Sequence, residues 1–140
     1  MSYDITAQAV ADTAPVHIKG ADGEFLYSDG KAVRIILYSP GSDRFAEIEA
    51  RQTNRAVKRM QENDGKVSLA PPEQRRAELA QDLADITAGF ENLSYPPAGD
   101  KQGTELFIAL YSDKKLGFIP QQLQKTLADW GKFLPGSTGN

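Results

Sequence analysis

The residue types that most often carry out catalysis or bind metals are scarce in this chain. His17 is the only histidine, and the 140 residues include no cysteine. A catalytic dyad or a metal site at His17 would need partners from distant parts of the chain, so we expect a structural or surface role for this histidine. Neither phosphate-binding pattern, GxxxxGKS/T or GxGxxG, follows the predicted strands. The sequence therefore predicts a protein that is not an enzyme and has no cofactor or metal.

Carboxylates recur at helical spacing and are the next candidates for chemistry. Glu78, Asp82 and Asp85 follow one another at steps of four and three residues. Neighbouring carboxylates on one helix could share a proton or a cation. The same segment carries a stripe of leucines, and the carboxylates lie on the opposite side of the predicted helix. We therefore expect these acidic residues to form its solvent-exposed face.

A basic stripe is the other charged feature that could bind a partner. It consists of Arg51, Arg55, Lys58 and Arg59. Such a stripe could meet an acidic protein surface or phosphate. The alternative is a solvated helix face whose cations pair with Glu47, Glu49 and Glu62 on neighbouring turns. We favour this alternative because the stripe has no interleaved aromatic residues.

Composition narrows the classes of function further. The net charge is −3 and the isoelectric point is near 5.2, so bulk binding to nucleic acid or to acidic membranes is not expected. A hydrophobic fraction of 40% and a charged fraction of 25% are typical of a globular domain. No apolar run approaches the length that crosses a bilayer. The first basic residue is Lys19, which does not fit a secretory signal. Together these features predict a cytosolic protein.

The elements that must position these residues belong to the α+β class, mainly α. Alternating apolar residues and glycine-containing turns over 15–39 predict a short N-terminal β-hairpin or meander. About four helices are predicted in the helical part, 42–134. Residues 1–14 are predicted to be a loosely ordered N-terminus, and 135–140 a disordered tail. The range 15–134 thus reads as a single domain.

The helices differ in their apolar patterns. Ser42 or Asp43 can cap a first helix that runs to about Glu62 and has only a thin apolar stripe. A second helix is predicted from Glu73, with a fraying end near Gly89. Its apolar face is predicted to consist of Leu79, Leu83, Ile86 and Phe90. A third helix presents Leu106, Phe107 and Leu110, which could cover the face of the last helix.

The last helix is predicted over the segment LGFIPQQLQKTLADWGKFLP. Leu123, Leu127, Trp130 and Leu134 recur at steps of four, three and four residues, as on one helical face. Either this face is part of the core or it is a docking surface for a partner, and we favour the core. The candidate protein-binding residues at this end of the chain are Phe118, Ile119, Leu123, Leu127 and Trp130. Arg51, Arg55 and Lys58 complete the candidates.

The order of these segments resembles a known family. LYSPGSDRF leads from a strand into the charged helix AEIEARQTNRAVKRM, and LADITAGFENLSY follows the proline-containing linker. The segment ELFIALYSDKKLGFIPQQLQKTLADWGKFL closes the pattern. This arrangement, over roughly residues 15–134, is similar to the tail assembly chaperones of long-tailed bacteriophages and prophages. In that family a small β-containing front precedes a charged helix, and the chain closes with a helical pair.

The resemblance implies a non-catalytic binding protein. Its expected partners are the tape measure protein, a long and largely helical polypeptide, and the tail tube protein. Members of the family keep the tape measure protein soluble, which implies binding of its apolar stripes by amphipathic helices. The resemblance also favours a homo-oligomer, a location in the host bacterial cytoplasm and absence from the mature virion. A minor structural or completion protein of the tail is the alternative, and a small nucleic-acid-binding regulator is a third reading.

Overall fold

The computed structural model describes residues 2–66 and 70–136, which form a small sheet covered by helices. The helices are α1 (Asp43–Glu62), α2 (Pro72–Ile86), α3 (Thr104–Tyr111) and α4 (Phe118–Leu127). The strands are β1 (Thr13–His17), β2 (Tyr27–Ser28), β3 (Lys31–Ala32), β4 (Arg34–Tyr38) and β5 (Thr87–Glu91). Four 3₁₀ turns, Ile5–Gln8, Pro96–Ala98, Lys114–Leu116 and Trp130–Phe133, complete the described elements. The predicted α+β class, mainly α, is confirmed.

The predicted β front is a hairpin of two longer strands with a smaller hairpin between them. Strand β1 pairs antiparallel with β4, and Val16 lies opposite Ile35. Between them, β2 and β3 form a small hairpin whose turn residues, Asp29 and Gly30, both have positive φ angles of 51° and 77°. A two-residue turn of this kind matches the twist of the paired strands. β1 begins at Thr13, two residues before the predicted boundary.

The segment before β1 contains local structure that the sequence did not predict. Residues Ile5–Gln8 form a 3₁₀ turn, and the side chain of Asp4 caps it by accepting a hydrogen bond from Thr6 N. Ala11 N donates to Phe133 O at 2.8 Å, so this end of the chain lies against the C-terminal region. At the other end, the predicted disordered tail falls outside the described residues from position 137 onward.

The third strand of the main sheet corrects the predicted extent of α2. The helix begins at Pro72, near the predicted start, but it ends at Ile86, and Thr87–Glu91 forms β5. β5 pairs antiparallel with β4, with Phe90 opposite Ile35. Phe90 therefore does not extend the helical face. The backbone of β4 needs a second partner, and β5 supplies it, so this long-range need overrides the helical spacing of Phe90.

Helix α1 has the predicted bounds. Ser42 Oγ accepts a hydrogen bond from Phe45 N at 3.1 Å and caps the helix. Ile48 is the only residue of α1 that is buried, which agrees with the thin predicted stripe. Val57 and Met60 remain exposed. Helix α1 therefore rests on the core rather than filling it.

The core lies between the main sheet and helices α2, α3 and α4. Its largest fully buried side chains are Ile18, Ile35, Leu37, Leu123 and Phe133. Helix α3 packs mainly against α2. Residues of α3 and α4 nevertheless belong to one core. Leu123 still shares the core with Phe107 and Leu110, because all three helices meet over the same sheet.

The C-terminal helix is shorter than predicted. Helix α4 ends at Leu127, and Asp129 accepts a hydrogen bond from Gly131 N to begin the 3₁₀ turn Trp130–Phe133. This change of period rotates Phe133 into the core, where it is fully buried. Trp130 is 55% exposed instead. The predicted stripe is wrong from Trp130 onward, because a capped turn replaces the last helical turns.

Candidate functional site

The basic stripe of α1 lies against the acidic face of α2 and forms an ion-pair ladder. The ladder consists of Arg51, Arg55 and Arg59 of α1 and Glu78, Asp82 and Asp85 of α2. The arginines recur every four residues, and the carboxylates recur at steps of four and three, so the two rows come into register. Both rows were predicted to be solvent-exposed faces. That prediction was wrong, because each face is the partner of the other.

Asp82 is the centre of the ladder. Arg51 Nη2 donates to Asp82 Oδ1 at 2.7 Å, and Arg55 Nη1 donates to Oδ2 at 3.1 Å. Gln52 Nε2 donates to Oδ2 at 3.0 Å. The Asp82 side chain is only 5% exposed, so it depends on these donors for its charge. A fully paired buried carboxylate of this kind fixes the position of one helix on another.

The electrostatics agree with this arrangement. Burial alone would raise the pKa of Asp82, but hydrogen bonds from Arg55, Gln52 and Arg51 outweigh it and hold the pKa below its ordinary value. Burial would also lower the pKa of Arg51, but its bonds to Asp85 and Asp82 raise it overall. These groups stay ionised together at neutral pH.

The outer pairs extend the ladder in both directions. Arg51 Nη1 donates to Asp85 Oδ2 at 2.7 Å, and Arg59 Nη2 donates to Glu78 Oε2 at 2.7 Å. Lys58, the remaining basic candidate, is exposed and lies outside the ladder. Of the three basic residues predicted to bind a partner, two are therefore occupied within the fold.

An apolar cleft lies beside the ladder, between α1, α2 and α4. Its apolar lining residues are Phe45, Ile48, Leu79, Leu83, Ile86 and Leu127, and its polar ones are Glu49, Gln52, Asp82 and Gln124. The cleft measures about 230 Å³, which is below the roughly 300–1,000 Å³ typical of small-molecule sites. Asp82 belongs to both the cleft and the ladder. The ladder therefore sets the separation of the helices that form the cleft.

The C-terminal candidates divide between core and surface. Ile119 and Leu123 are buried in the core. Phe118 and Leu127 are half-buried and pack against it. Trp130 is exposed, and its ring lies beside Gly41, where an added Cβ would be 3.4 Å from Trp130 Cζ3. Among these five residues, Leu127 is the one that lines the apolar cleft.

His17 occupies a structural environment. Its Nε2 lies 2.9 Å from Leu26 O, and its ring stacks on Phe25 at a centroid distance of 4.4 Å. The residue is 5% exposed. In the described part of the chain, no group of three or more histidine, aspartate or glutamate side chains is arranged to hold a metal ion. Over the same residues, no helix is both long and apolar enough to cross a membrane.

Two features of the site have a signal in the sequence that the predictions missed. The matching helical steps of three arginines and three carboxylates indicate that two helices pair through these side chains. Each row was instead predicted to be a separate solvent-exposed face. Asp129-Trp130-Gly131 contains a capping residue that signals a break in the helix. The cleft has no such local signal, because its lining residues come from three helices.

Comparison with known proteins does not assign this chain to a family. The chain matches no protein-family profile, no curated protein and no solved structure. The case for a function therefore rests on the resemblance of segment order and on the side chains described above.

Proposed function

We propose that this protein is a non-catalytic tail assembly chaperone that binds the tape measure protein and assists assembly of the tail tube. The order of its segments is the basis of the family proposal. The observation that carries the binding mode is the apolar cleft between α1, α2 and α4. A long helical client must have its apolar stripes covered before it is enclosed, and an open cleft with a polar rim can cover one stripe.

The cleft suits the side chains of a docking helix. Its volume accommodates apolar side chains rather than a whole cofactor. Glu49, Gln52 and Gln124 lie among the lining residues and supply groups that can hydrogen-bond the polar edge of an amphipathic helix. The ladder holds α1 in place beside this opening, which keeps the cleft formed before the client arrives and lowers the cost of binding.

Helix α1 offers a second contact surface beyond the cleft. Val57 and Met60 are exposed on its C-terminal half, at 47% and 39% of their surface. Methionine and valine exposed on one helix are suited to contacts with another protein. We assign this surface to the tail tube protein or to a second copy of the chain, which would let several copies line one client.

The ladder weakens the case for a nucleic-acid-binding regulator. Arg51 and Arg55 are paired with Asp82, so their charges are already neutralised within the fold. Their release to phosphate would leave a buried carboxylate without partners. The remaining alternative is a minor structural or completion protein of the tail. A chaperone would act in the host bacterial cytoplasm and be missing from the finished particle, whereas a structural protein would stay in it.

Coexpression with a tape measure protein tests the proposal. We expect the wild-type chain to raise the soluble fraction of that polypeptide and to copurify with it. Leu127→Glu places a charge in the cleft and should abolish copurification, whereas Ile5→Glu at an exposed position of the N-terminal 3₁₀ turn should not. Circular dichroism of both variants confirms that each is folded.

Two results would contradict the proposed role. One is the absence of any soluble complex with the tape measure protein encoded beside this chain. The other is detection of the protein by mass spectrometry in purified virions in amounts similar to those of tail proteins. The second result would favour the structural alternative.

A further inference from the structure

A second cleft lies where the end of β1 meets α4. It measures about 210 Å³. Its lining residues are Pro15, Val16, His17, Lys19, Phe25, Gln122, Lys125, Thr126 and Lys132. This set of nine contains three lysines and no carboxylate. The lining therefore carries positive charge on a chain whose net charge is −3, and this contrast favours an anionic partner.

The side chain of Gln122 holds the backbone of Lys19 against α4. Gln122 Oε1 accepts a hydrogen bond from Lys19 N at 2.8 Å, and Gln122 Nε2 donates to Lys19 O at 2.6 Å. These two hydrogen bonds fasten the backbone at Lys19 to α4. Lys125 follows Gln122 by three residues and therefore lies on the same face of the helix. Lys19 and Lys125 are both exposed and both line the cleft.

An aromatic floor lies beside these cations. Lys19 Nζ lies 4.9 Å from the centroid of the Phe25 ring, and that ring stacks on the buried His17. The aromatic surface continues to Tyr27, which is 62% exposed and contacts the same His17 ring edge-on. Exposed aromatic residues beside a cationic cleft are typical of a surface that a partner covers.

We infer that this cleft and hairpin form a docking site for an acidic segment of a partner protein, in which carboxylates alternate with large apolar side chains. The carboxylates bind between Lys19 and Lys125. The apolar side chains pack on Phe25 and Tyr27. This site shares no lining residue with the apolar cleft, so it does not depend on the proposed chaperone role.

The positive charge of the cleft favours an acidic ligand, and the exposed aromatic residues of the hairpin favour a peptide over a small anion. A free phosphate or a small carboxylate would use the lysines but would leave Phe25 and Tyr27 exposed to water. A nucleotide would require more room than about 210 Å³. A peptide with both acidic and apolar side chains covers both parts of the surface at once. It therefore gains the hydrophobic free energy that an isolated anion cannot gain.

Fluorescence polarisation with a labelled peptide tests this inference. The probe is a short end-blocked peptide in which glutamate and aspartate alternate with phenylalanine and leucine. A control peptide carries glutamine and asparagine in place of the acids. We expect the acidic peptide to bind the full chain more tightly, and the affinity to fall as salt is raised.

Matched variants assign the binding to the cleft. Exposed ion pairs contribute up to about 1 kcal/mol, or about fivefold in affinity, so Lys19→Gln with Lys125→Gln should weaken binding measurably, by up to about 25-fold. Tyr27→Ser should weaken it through lost apolar contact. The control, Lys58→Gln with Lys101→Gln, removes the same charge elsewhere and should leave affinity within about twofold.

Three outcomes would overturn the inference. The acidic peptide could bind no better than its amide control. The cleft double variant could bind as tightly as the wild type while remaining folded by circular dichroism. Inorganic phosphate could also displace the peptide from the wild type while Tyr27→Ser leaves the affinity unchanged, which would show a site for small anions alone.

Discussion

Replacement of Asp82 by asparagine tests the ion-pair ladder most directly. Removal of one member of a buried ion pair costs about 3–5 kcal/mol. We expect Asp82→Asn to lower the free energy of unfolding by about 2–3 kcal/mol, because the side chains of Arg51 and Arg55 are 37% and 26% exposed. Water can therefore solvate part of the charge that the substitution leaves unpaired. The free energy of unfolding should be measured in urea by far-UV circular dichroism at neutral pH.

The pH dependence of this difference provides a second measurement. The folded-state pKa of Asp82 lies below its ordinary value of 3.8. Its contribution to stability is therefore fully present above that ordinary pKa, and it is lost as the pH falls through the lower folded-state pKa. We expect the gap between wild type and Asp82→Asn to be constant near neutral pH and to close in acid.

A matched control separates the ladder from ordinary surface charge. Glu47→Gln removes the partner of Arg44 in a pair whose side chains are 44% and 67% exposed, so we expect a loss below about 0.5 kcal/mol. If Asp82→Asn costs no more than Glu47→Gln, or if its effect persists unchanged at acid pH, the ladder does not hold α1 as described.

Three further sets of substitutions probe the packing. Phe133→Ala should lower the free energy of unfolding in urea by about 3–5 kcal/mol because its ring is fully buried. Trp130→Ala should lower it by less than about 1 kcal/mol. A larger loss for Trp130→Ala than for Phe133→Ala would instead support the longer predicted helix. Gly41→Ala would place a Cβ 2.8 Å from Val10 Cγ2 and should lower stability by about 1–3 kcal/mol. Adding Val10→Ala should recover most of that loss. If it does not, the contact with Val10 is not the cause of the loss. Thr87→Val removes a hydroxyl that donates to Leu83 O and lies 2.7 Å from a buried tyrosine hydroxyl, so thermal unfolding should show a loss of about 1–3 kcal/mol; an unchanged melting temperature would contradict this role.

The elements with local signals were the ones that could be predicted. Pro40 and Gly41 end the β front, and Ser42 caps the helix that follows, so the start of α1 was predicted correctly. Asp29-Gly30 likewise marks the small hairpin. In each case the determining interaction is a backbone conformation or a hydrogen bond within a few residues.

The candidate site was predicted only in part. The arginines at 51 and 55 and Leu127 were identified as candidates, but their partners were not. The burial of Asp82 depends on α1 crossing α2, and spacing along one helix carries no information on which other helix will cover it. The same limitation applies to the apolar cleft, whose lining comes from three helices.

The sequence by itself determined the fold class, the bounds of α1 and the scarcity of residues suited to catalysis, because these follow from residue type and short-range geometry. Only the tertiary structure decided that Thr87–Glu91 is a strand, that Phe133 rather than Trp130 enters the core, and that two charged rows bind each other. Each of these outcomes depends on a partner distant in the chain. The free energy of pairing with that partner exceeds the local preference for helix or for solvent.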